Sequence, residues 1–294
     1  MSRRGLALFL AMGVIWGIPY LLIKVAVGSL TPATLVFLRT AIGAFIIAPL
    51  AVRTGRWREL VPHWKALAAY TAAEIAVPWW LLSDAETRLS SSLSGLLIAS
   101  MPIVMAVLAA LSRLEAFTLR RGAGLILGLG GVTVLLAPGL SAGNLGPILE
   151  VGIVVLGYAI GPLIISQKLA SLRGMDVVAV TLLASALAYL PAAIIQAPAH
   201  WPGWEVAGAV LILGVVCTGV GFLCFFALIT EVGPTRASLF IYLNPAVAVV
   251  LGVALLHEPF SLLTLAGFVL ILGGSVLASR RQPARPGDPA DSAA

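Results

Sequence analysis

Leu114-Glu115-Ala116-Phe117-Thr118-Leu119 and His257-Glu258-Pro259-Phe260-Ser261-Leu262 repeat one pattern at a spacing of 143 residues. The spacing holds outward from both. Upstream, Leu96, Ile98 and Pro102 meet Leu239, Ile241 and Pro245; downstream, Gly124 meets Gly267 and Gly130-Gly131 meets Gly273-Gly274. The register runs without a gap over about 35 residues. Apolar segments match one another by chance, but a shared proline, a shared glutamate and three shared glycines mark an internal repeat. The first helices of the two halves match less closely, with Gly17 and Lys24 meeting Gly161 and Lys168 at a spacing of 144.

Both copies lie in a chain made for lipid. Of its 294 residues, 60% are hydrophobic and 10% charged, against about 25% charged in a soluble domain. The mean hydropathy is +1.07. A soluble globule of this length cannot hide so much apolar surface. The apolar runs are about as long as a helix needs to span a bilayer, and they lack the alternation of barrel strands. Ten helices are expected, over 6–27, 32–52, 66–84, 90–111, 119–137, 147–167, 177–196, 206–229, 236–256 and 262–279. The last residues, 281–294, are rich in Pro, Ala and Asp and read as a disordered cytoplasmic tail.

Ser2-Arg3-Arg4 ahead of an apolar stretch imitates a signal peptide. The stretch continues through Trp16-Gly17-Ile18-Pro19-Tyr20 to Val27 with no small-x-small cleavage site, so it reads as a retained first helix. With the N-terminus in the cytoplasm, the inner segments hold fifteen lysines and arginines and the outer loops only Arg88. That asymmetry sets both termini inside. It also accounts for the net charge of +6 without nucleic acid. A five-helix unit crosses an odd number of times, so its second copy enters from the opposite side. Accordingly, segment 112–121 carries three arginines and its counterpart 257–261 carries none. The expected fold is an all-α integral membrane protein of ten transmembrane helices, built as two inverted five-helix repeats over 5–138 and 146–280. Few lysines beside many arginines, alanines and glycines suggest a GC-rich bacterial genome, hence an inner membrane.

The chain resembles the EamA-like family of the drug/metabolite transporter superfamily over residues 5 to 280. The resemblance rests on a proline-containing helix, an acidic loop and a glycine-rich helix closing each half. These are Pro102, Leu114-Glu115-Ala116-Phe117, Gly124 and Gly130-Gly131, then Asn244-Pro245, His257-Glu258-Pro259-Phe260, Gly267 and Gly273-Gly274. Trp16-Gly17 with Lys24, and Pro32 with Phe37-Leu38-Arg39, also match. Tyr158-Ala159 departs from the pattern, standing where a Trp-Ala or Trp-Gly pair is typical. The resemblance implies ten helices, a central cavity between the halves, and export or uptake of small metabolites, without fixing the substrate. Inverted repeats are a common plan of secondary transporters, with the site near the midplane.

Glu74 is the sharpest single signal, a carboxylate near the middle of the third helix. Facing lipid it would cost several kcal/mol, so it should point toward water, a partner or substrate. Tyr70, one turn earlier on the same face, should follow it. Trp16, Tyr20 and Tyr158 fall deep enough to line a cavity; Trp79 and Trp80 lie nearer the outside, where a cavity-lining and an interface role are both open. Arg39, about two turns inside the second helix, needs water or a partner and is a structural donor or a substrate contact. Lys24 lies near a helix end, where it can snorkel. Asn244 is polar at membrane depth. Pro102 and Pro245 remove helical hydrogen bonds and are candidate kinks or gates. Glu115 and Glu258, three residues ahead of the helix caps Thr118 and Ser261, read as loop-fixing or helix-end residues. Gly13-x-x-x-Gly17, Gly124-x-x-x-Gly128 and Gly157-x-x-x-Gly161 have the spacing of close helix packing, and monomer and homodimer are both compatible with them.

Cys217 and Cys224 are two turns apart on one face, roughly 10 Å, too far to bridge. The sequence contains no Walker loop, G-x-S-x-G, H-E-x-x-H or glycine-rich dinucleotide turn. No cofactor and no metal are expected. The substrate-binding candidates are therefore Glu74, Tyr70, Trp16, Tyr20, Tyr158, Asn244 and Arg39. The expected activity is secondary transport of amphipathic solutes such as amino acids, by alternating access and in the export direction. A coupling proton on Glu74 is one of its candidate roles. The rival is a membrane enzyme acting on a lipid or isoprenoid, which would need a His, Asp or Glu cluster at one face.

Overall fold

The computed structural model describes residues 1–53, 55–111, 119–136 and 145–279, and these form helices joined by turns and short irregular connections, with no strand among them. Glu115, the rest of segment 112–118 and the tail 281–294 lie outside the described residues. We label the helices α1 (Arg3–Ala26), α2 (Pro32–Val52), α3 (64–88), α4 (Ser91–Leu108), α5 (Leu119–Leu136), α6 (Leu145–Leu169), α7 (Gly174–Ile195), α8 (Trp204–Val232), α9 (Ser238–Leu256) and α10 (Leu262–Ser279). Seven of them, all but α3, α5 and α10, are long and apolar enough to cross a membrane. Shorter apolar stretches, Gly122–Leu136 and Leu262–Ala278, fall within α5 and α10. Helix α3 is continuous but carries Lys65, Glu74, Asp84, Glu86 and Arg88. The chain is a multi-pass membrane protein.

Hydroxyl residues start the helices as capping chemistry requires. Ser2 accepts from the Gly5 N–H, Thr31 from Thr34, Ser90 from Leu93 and Ser261 from Thr264. Pro32 follows Thr31 at the first helical position, where its missing N–H costs nothing. His257 ends α9 in the left-handed region at φ 54°, which lets the Glu258 N–H return to the Gly252 carbonyl.

Helix α2 lies along α7, and α5 lies along α10. The first half of α4 packs on the second half of α9, α3 packs on α6, and α1 packs on α8. Glycines set the closest approaches. A Cβ on Gly131 would sit 2.7 Å from the Ile271 nitrogen, and one on Gly274 would run into the Gly128 backbone. Gly13 and Gly17 face Leu243 and Val247 of α9, while Gly157 and Gly161 face Ala73 and Glu74 of α3. These spaced glycines therefore join helices within the chain.

Several helices are locally irregular. Thr71–Ala76 of α3, Ile165–Leu169 of α6 and Ile212–Val220 of α8 are wound as π-helix. Shifted by 143, residues 71–76 fall within the α8 segment. Helix α1 is interrupted by a turn at 16–18 and α4 by one at 99–100, and α9 opens with a 3₁₀ stretch, Ser238–Tyr242. Wide turns of this kind often accompany functional sites because they re-aim side chains and free carbonyls.

Candidate functional site

Arg39 is the centre of the candidate site. It projects from the middle of α2 and is 7% exposed. Its guanidinium lies over the Trp79 ring, 3.6 Å from the centroid. That geometry suits a weakly hydrated, planar cation. Nε donates to Thr218 Oγ1 at 3.1 Å. Thr218 in turn donates to the Leu213 carbonyl at 2.8 Å, a five-residue reach set by the π winding of α8. Tyr20, Tyr158, Cys217 and Glu86 lie within electrostatic range of the guanidinium. Among the described residues, the only ion pairs are Arg56–Glu59, Arg88–Asp84 and Arg88–Glu150. Among the described residues, therefore, no carboxylate stands within ion-pairing distance of Arg39.

Tyr158 links Arg39 to Glu74. Trp79, Arg39 and Glu74 all lie close enough to act on the Tyr158 hydroxyl electrostatically. Glu74 lies in the π segment of α3 against Gly161, where any side chain would collide with its carboxylate. Its Oε2 is buried and has no hydrogen-bond partner among the described residues. Lys24 is engaged elsewhere rather than snorkelling. Its Nζ donates to the Glu86 carbonyl at 2.7 Å and the Leu89 carbonyl at 2.8 Å, closing the C-terminal end of α3.

Tyr20, Asn244, Pro102 and Pro245, with Ile98 and Ile241, line a cavity of about 10 Å³, roughly the room one water needs. Neither proline sits in a helix interior. Pro102 falls in the first turn of Met101–Leu111 and Pro245 in the first turn of Asn244–Leu256, each just after the interruption of its helix. Proline is at home there, and the break rather than a kink redirects the chain. Because proline has no N–H, the carbonyls of Ile98 and Ile241 lose their usual helical donor four residues on. Asn244 is 7% exposed and its Oδ1 is unpartnered among the described residues.

Two candidates sit apart from this centre. Trp16 donates from Nε1 to the Cys217 carbonyl at 3.0 Å, and its ring packs among Phe222, Phe225 and Phe240. It ties α1 to the irregular part of α8. Tyr70 is buried with Leu60, Leu67, Leu169 and Val177, though it remains within electrostatic range of Glu74. Glu258 is a helix-end residue of an unexpected kind. It caps α4 in the other half of the chain, accepting from the Ser91 N–H at 2.7 Å and the Ser92 N–H at 2.9 Å.

Trp79, which the sequence leaves open between cavity and interface, and Thr218 and Glu86, which it does not single out, stand around Arg39 in the candidate site. Trp79 lies five residues after Glu74, and the π winding between them carries a sequence signal only through its effect on facing. Thr218 is one small polar residue in an apolar run. Glu86 reads as the polar end of a helix, yet it is fully buried.

The EamA-like transporter family matches this chain twice, over residues 3–137 and 147–280. An uncharacterized transporter of Archaeoglobus fulgidus is 26% identical over 269 residues, covering 91% of this chain and 95% of its own. The uncharacterized transporter YvbV of Bacillus subtilis is 25% identical, covering 95% of this chain and 93% of its own. The uncharacterized inner membrane transporter YedA of Escherichia coli is 26% identical, with 95% and 92% covered. One solved crystal structure superposes with a TM-score of 0.68 at 20% identity, over 95% of this chain and 98% of the other, which is a likeness of fold.

Proposed function

We propose, for a chain that belongs to the EamA-like transporter family, that it is a secondary transporter exporting amino acids or related amphipathic metabolites by alternating access. The observation that carries this reading is Arg39: a buried guanidinium held in place by Trp79 and Thr218, with no carboxylate in ion-pairing distance among the described residues. A preorganised cation of that kind fits the carboxylate of a substrate. Glu74, with its unpartnered Oε2, offers the complementary charge to an ammonium group or accepts a coupling proton. Tyr20, Tyr158 and Trp79 supply apolar faces and hydroxyls between them. Tyr70 and Trp16 support the site from its flanks, and Asn244, Pro102 and Pro245 lie at its broken helices.

The architecture we propose is ten membrane crossings in two inverted five-helix repeats, 5–138 and 146–280, in a bacterial inner membrane with both termini cytoplasmic. The double family match supports it. So does the packing, because exchanging the halves turns α3–α6 into α8–α1 and returns α2–α7, α4–α9 and α5–α10 to themselves. The inner-membrane relative of Escherichia coli agrees with this location. The spaced glycines pack within one chain, which supports a monomer.

Reconstitution in liposomes with a panel of amino acids and related carboxylates, with and without a pH gradient, tests the reading. Arg39→Lys keeps the charge but loses the planar fork and the stacking. It should lower transport of carboxylate-bearing solutes by roughly 10-fold or more, since hydrogen bonds to charged groups are worth about 1.5–3 kcal/mol. Equal transport by wild type and Arg39→Lys would remove Arg39 from the substrate site.

A further inference from the structure

The buried polar side-chain atoms without partners are concentrated in one place. Of the nine such atoms among the described residues, five belong to Glu86, Ser91, Ser92 and Ser94. Glu86 is fully buried, and both its carboxylate oxygens lack a hydrogen bond. The charged groups around it are committed elsewhere. Lys24 on α1 donates to the backbone carbonyls of Glu86 and Leu89. Arg39 on α2 holds Trp79 and Thr218. Glu258, between α9 and α10, accepts the N–H groups at the start of α4. Tyr20 on α1 and Tyr158 on α6 complete its electrostatic surroundings. On α3 itself, Asp84 and Arg88 pair with each other at the surface, and Arg88 also holds Glu150.

An ionised carboxylate in this setting would be an uncompensated buried charge, which is among the costliest arrangements a fold can hold. A neutral acid leaves only unfilled hydrogen-bonding capacity. The Lys24 ammonium stands beside Glu86 but is bound to that residue's own carbonyl. Turning it from the two carbonyls to the carboxylate would form an ion pair and strip the C-terminal end of α3 of its cap. That end adjoins α1 and the start of α4, where Glu258 ties the second half to the first. The two protonation states of one side chain thus favour two different arrangements of the same joint.

We propose that Glu86 is a proton-binding site that latches the outer end of the transport path. It is protonated while Lys24 caps α3 and Glu258 caps α4. Loss of the proton to the outer solution draws Lys24 onto the carboxylate and loosens the joint. The proposal rests on the alternating-access reading above, with the outer side assigned from the charge asymmetry of the loops.

The test uses the full chain in proteoliposomes with Cys217 and Cys224 replaced by Ala and a single cysteine at Ser92. An impermeant maleimide is applied from outside over a range of pH. Labelling, expressed against the same thiol in denatured protein at each pH so that the thiol's own ionisation cancels, should rise several-fold from acidic to mildly alkaline pH. With Glu86→Gln, which mimics the protonated form, labelling should stay low throughout. With Lys24→Met, which removes the cation that favours ionisation, the half-labelling pH should move upward. In parallel, the infrared absorption of protonated buried carboxyls at acidic pH should lose one component in Glu86→Gln and keep the component that Glu74→Gln removes. Unchanged pH dependence in Glu86→Gln, labelling that does not depend on pH in the parent, or a carboxyl absorption identical with and without Glu86 would overturn the proposal. Failure of every panel solute to be transported would sink the transporter reading while leaving the carboxyl band readable, so the two failures are distinct.

Discussion

Glu74 and Arg39 are the two charges that an apolar chain has least reason to keep at depth, and the sequence alone makes both candidates. Their surroundings are another matter. Arg39 finds Trp79 and Thr218, residues 40 and 179 positions away, and no periodicity announces such meetings. Glu74 lies against Gly161 rather than beside Lys24 or Arg39. The absent side chain at Gly161 makes the room that the carboxylate occupies. Glu74→Gln keeps the shape and removes the charge, so it separates a transport role from a packing role. We expect a folded protein whose transport is lost or altered in pH dependence. Wild-type transport rates at every pH in that variant would leave Glu74 a structural residue. Trp79→Leu is the corresponding change on the other side of Tyr158. It removes the face on which Arg39 rests, a contact worth up to about 2 kcal/mol when desolvated, and should weaken substrate affinity roughly 10-fold in the same liposome assay.

At the scale of the element, helix positions are legible because hydrophobic length and turn residues determine them, whereas irregularities within helices are not. The expected 66–84 and 206–229 correspond to 64–88 and Trp204–Val232, longer at both ends. Nothing in Thr71–Ala76 or Ile212–Val220 marks them as π-helix, since that winding is decided by what the freed carbonyls meet. Tyr189 donates to Ala76 at 2.9 Å and Trp16 to Cys217 at 3.0 Å, one aromatic donor for each segment. The glycine-rich helices are the opposite case, where spacing alone anticipates the contact. Gly131 and Gly274 lie at the α5–α10 seam with backbone atoms where a side chain would go. Gly131→Leu or Gly274→Leu should therefore force the helices apart. Overpacking of this kind costs about 1–3 kcal/mol, and each variant should show less folded protein and a lower melting temperature by fluorescence-detected gel filtration. Wild-type yield and melting temperature for both would contradict the seam.

The proposed relation between halves is visible in the sequence as one offset of 143 residues, and spatial contacts would make it mechanical. Helices α2 and α7, α4 and α9, and α5 and α10 pack in pairs, and under the proposed repeat each pair would join equivalent elements astride a pseudo-two-fold axis. Glu258 is bonded across this relation, from the end of α9 to the start of α4. Its sequence neighbour Ser261 suggests a local cap, which is why its long-range role was not legible. An axis in the membrane plane requires the two acidic loops to lie on opposite faces. Lysines and arginines agree, with three arginines in 112–121 and none in 257–261. The prediction follows without any knowledge of substrate. In a background lacking Cys217 and Cys224, a cysteine at Ala116 should resist an impermeant maleimide applied to intact cells and react once the membrane is opened. A cysteine at Ser261, which is exposed, should react in intact cells. Both variants are compared with the same protein denatured, so that a buried thiol is not mistaken for one on the far side. Reaction of both from the same side would end the inverted arrangement and with it the rocking of two opposed bundles.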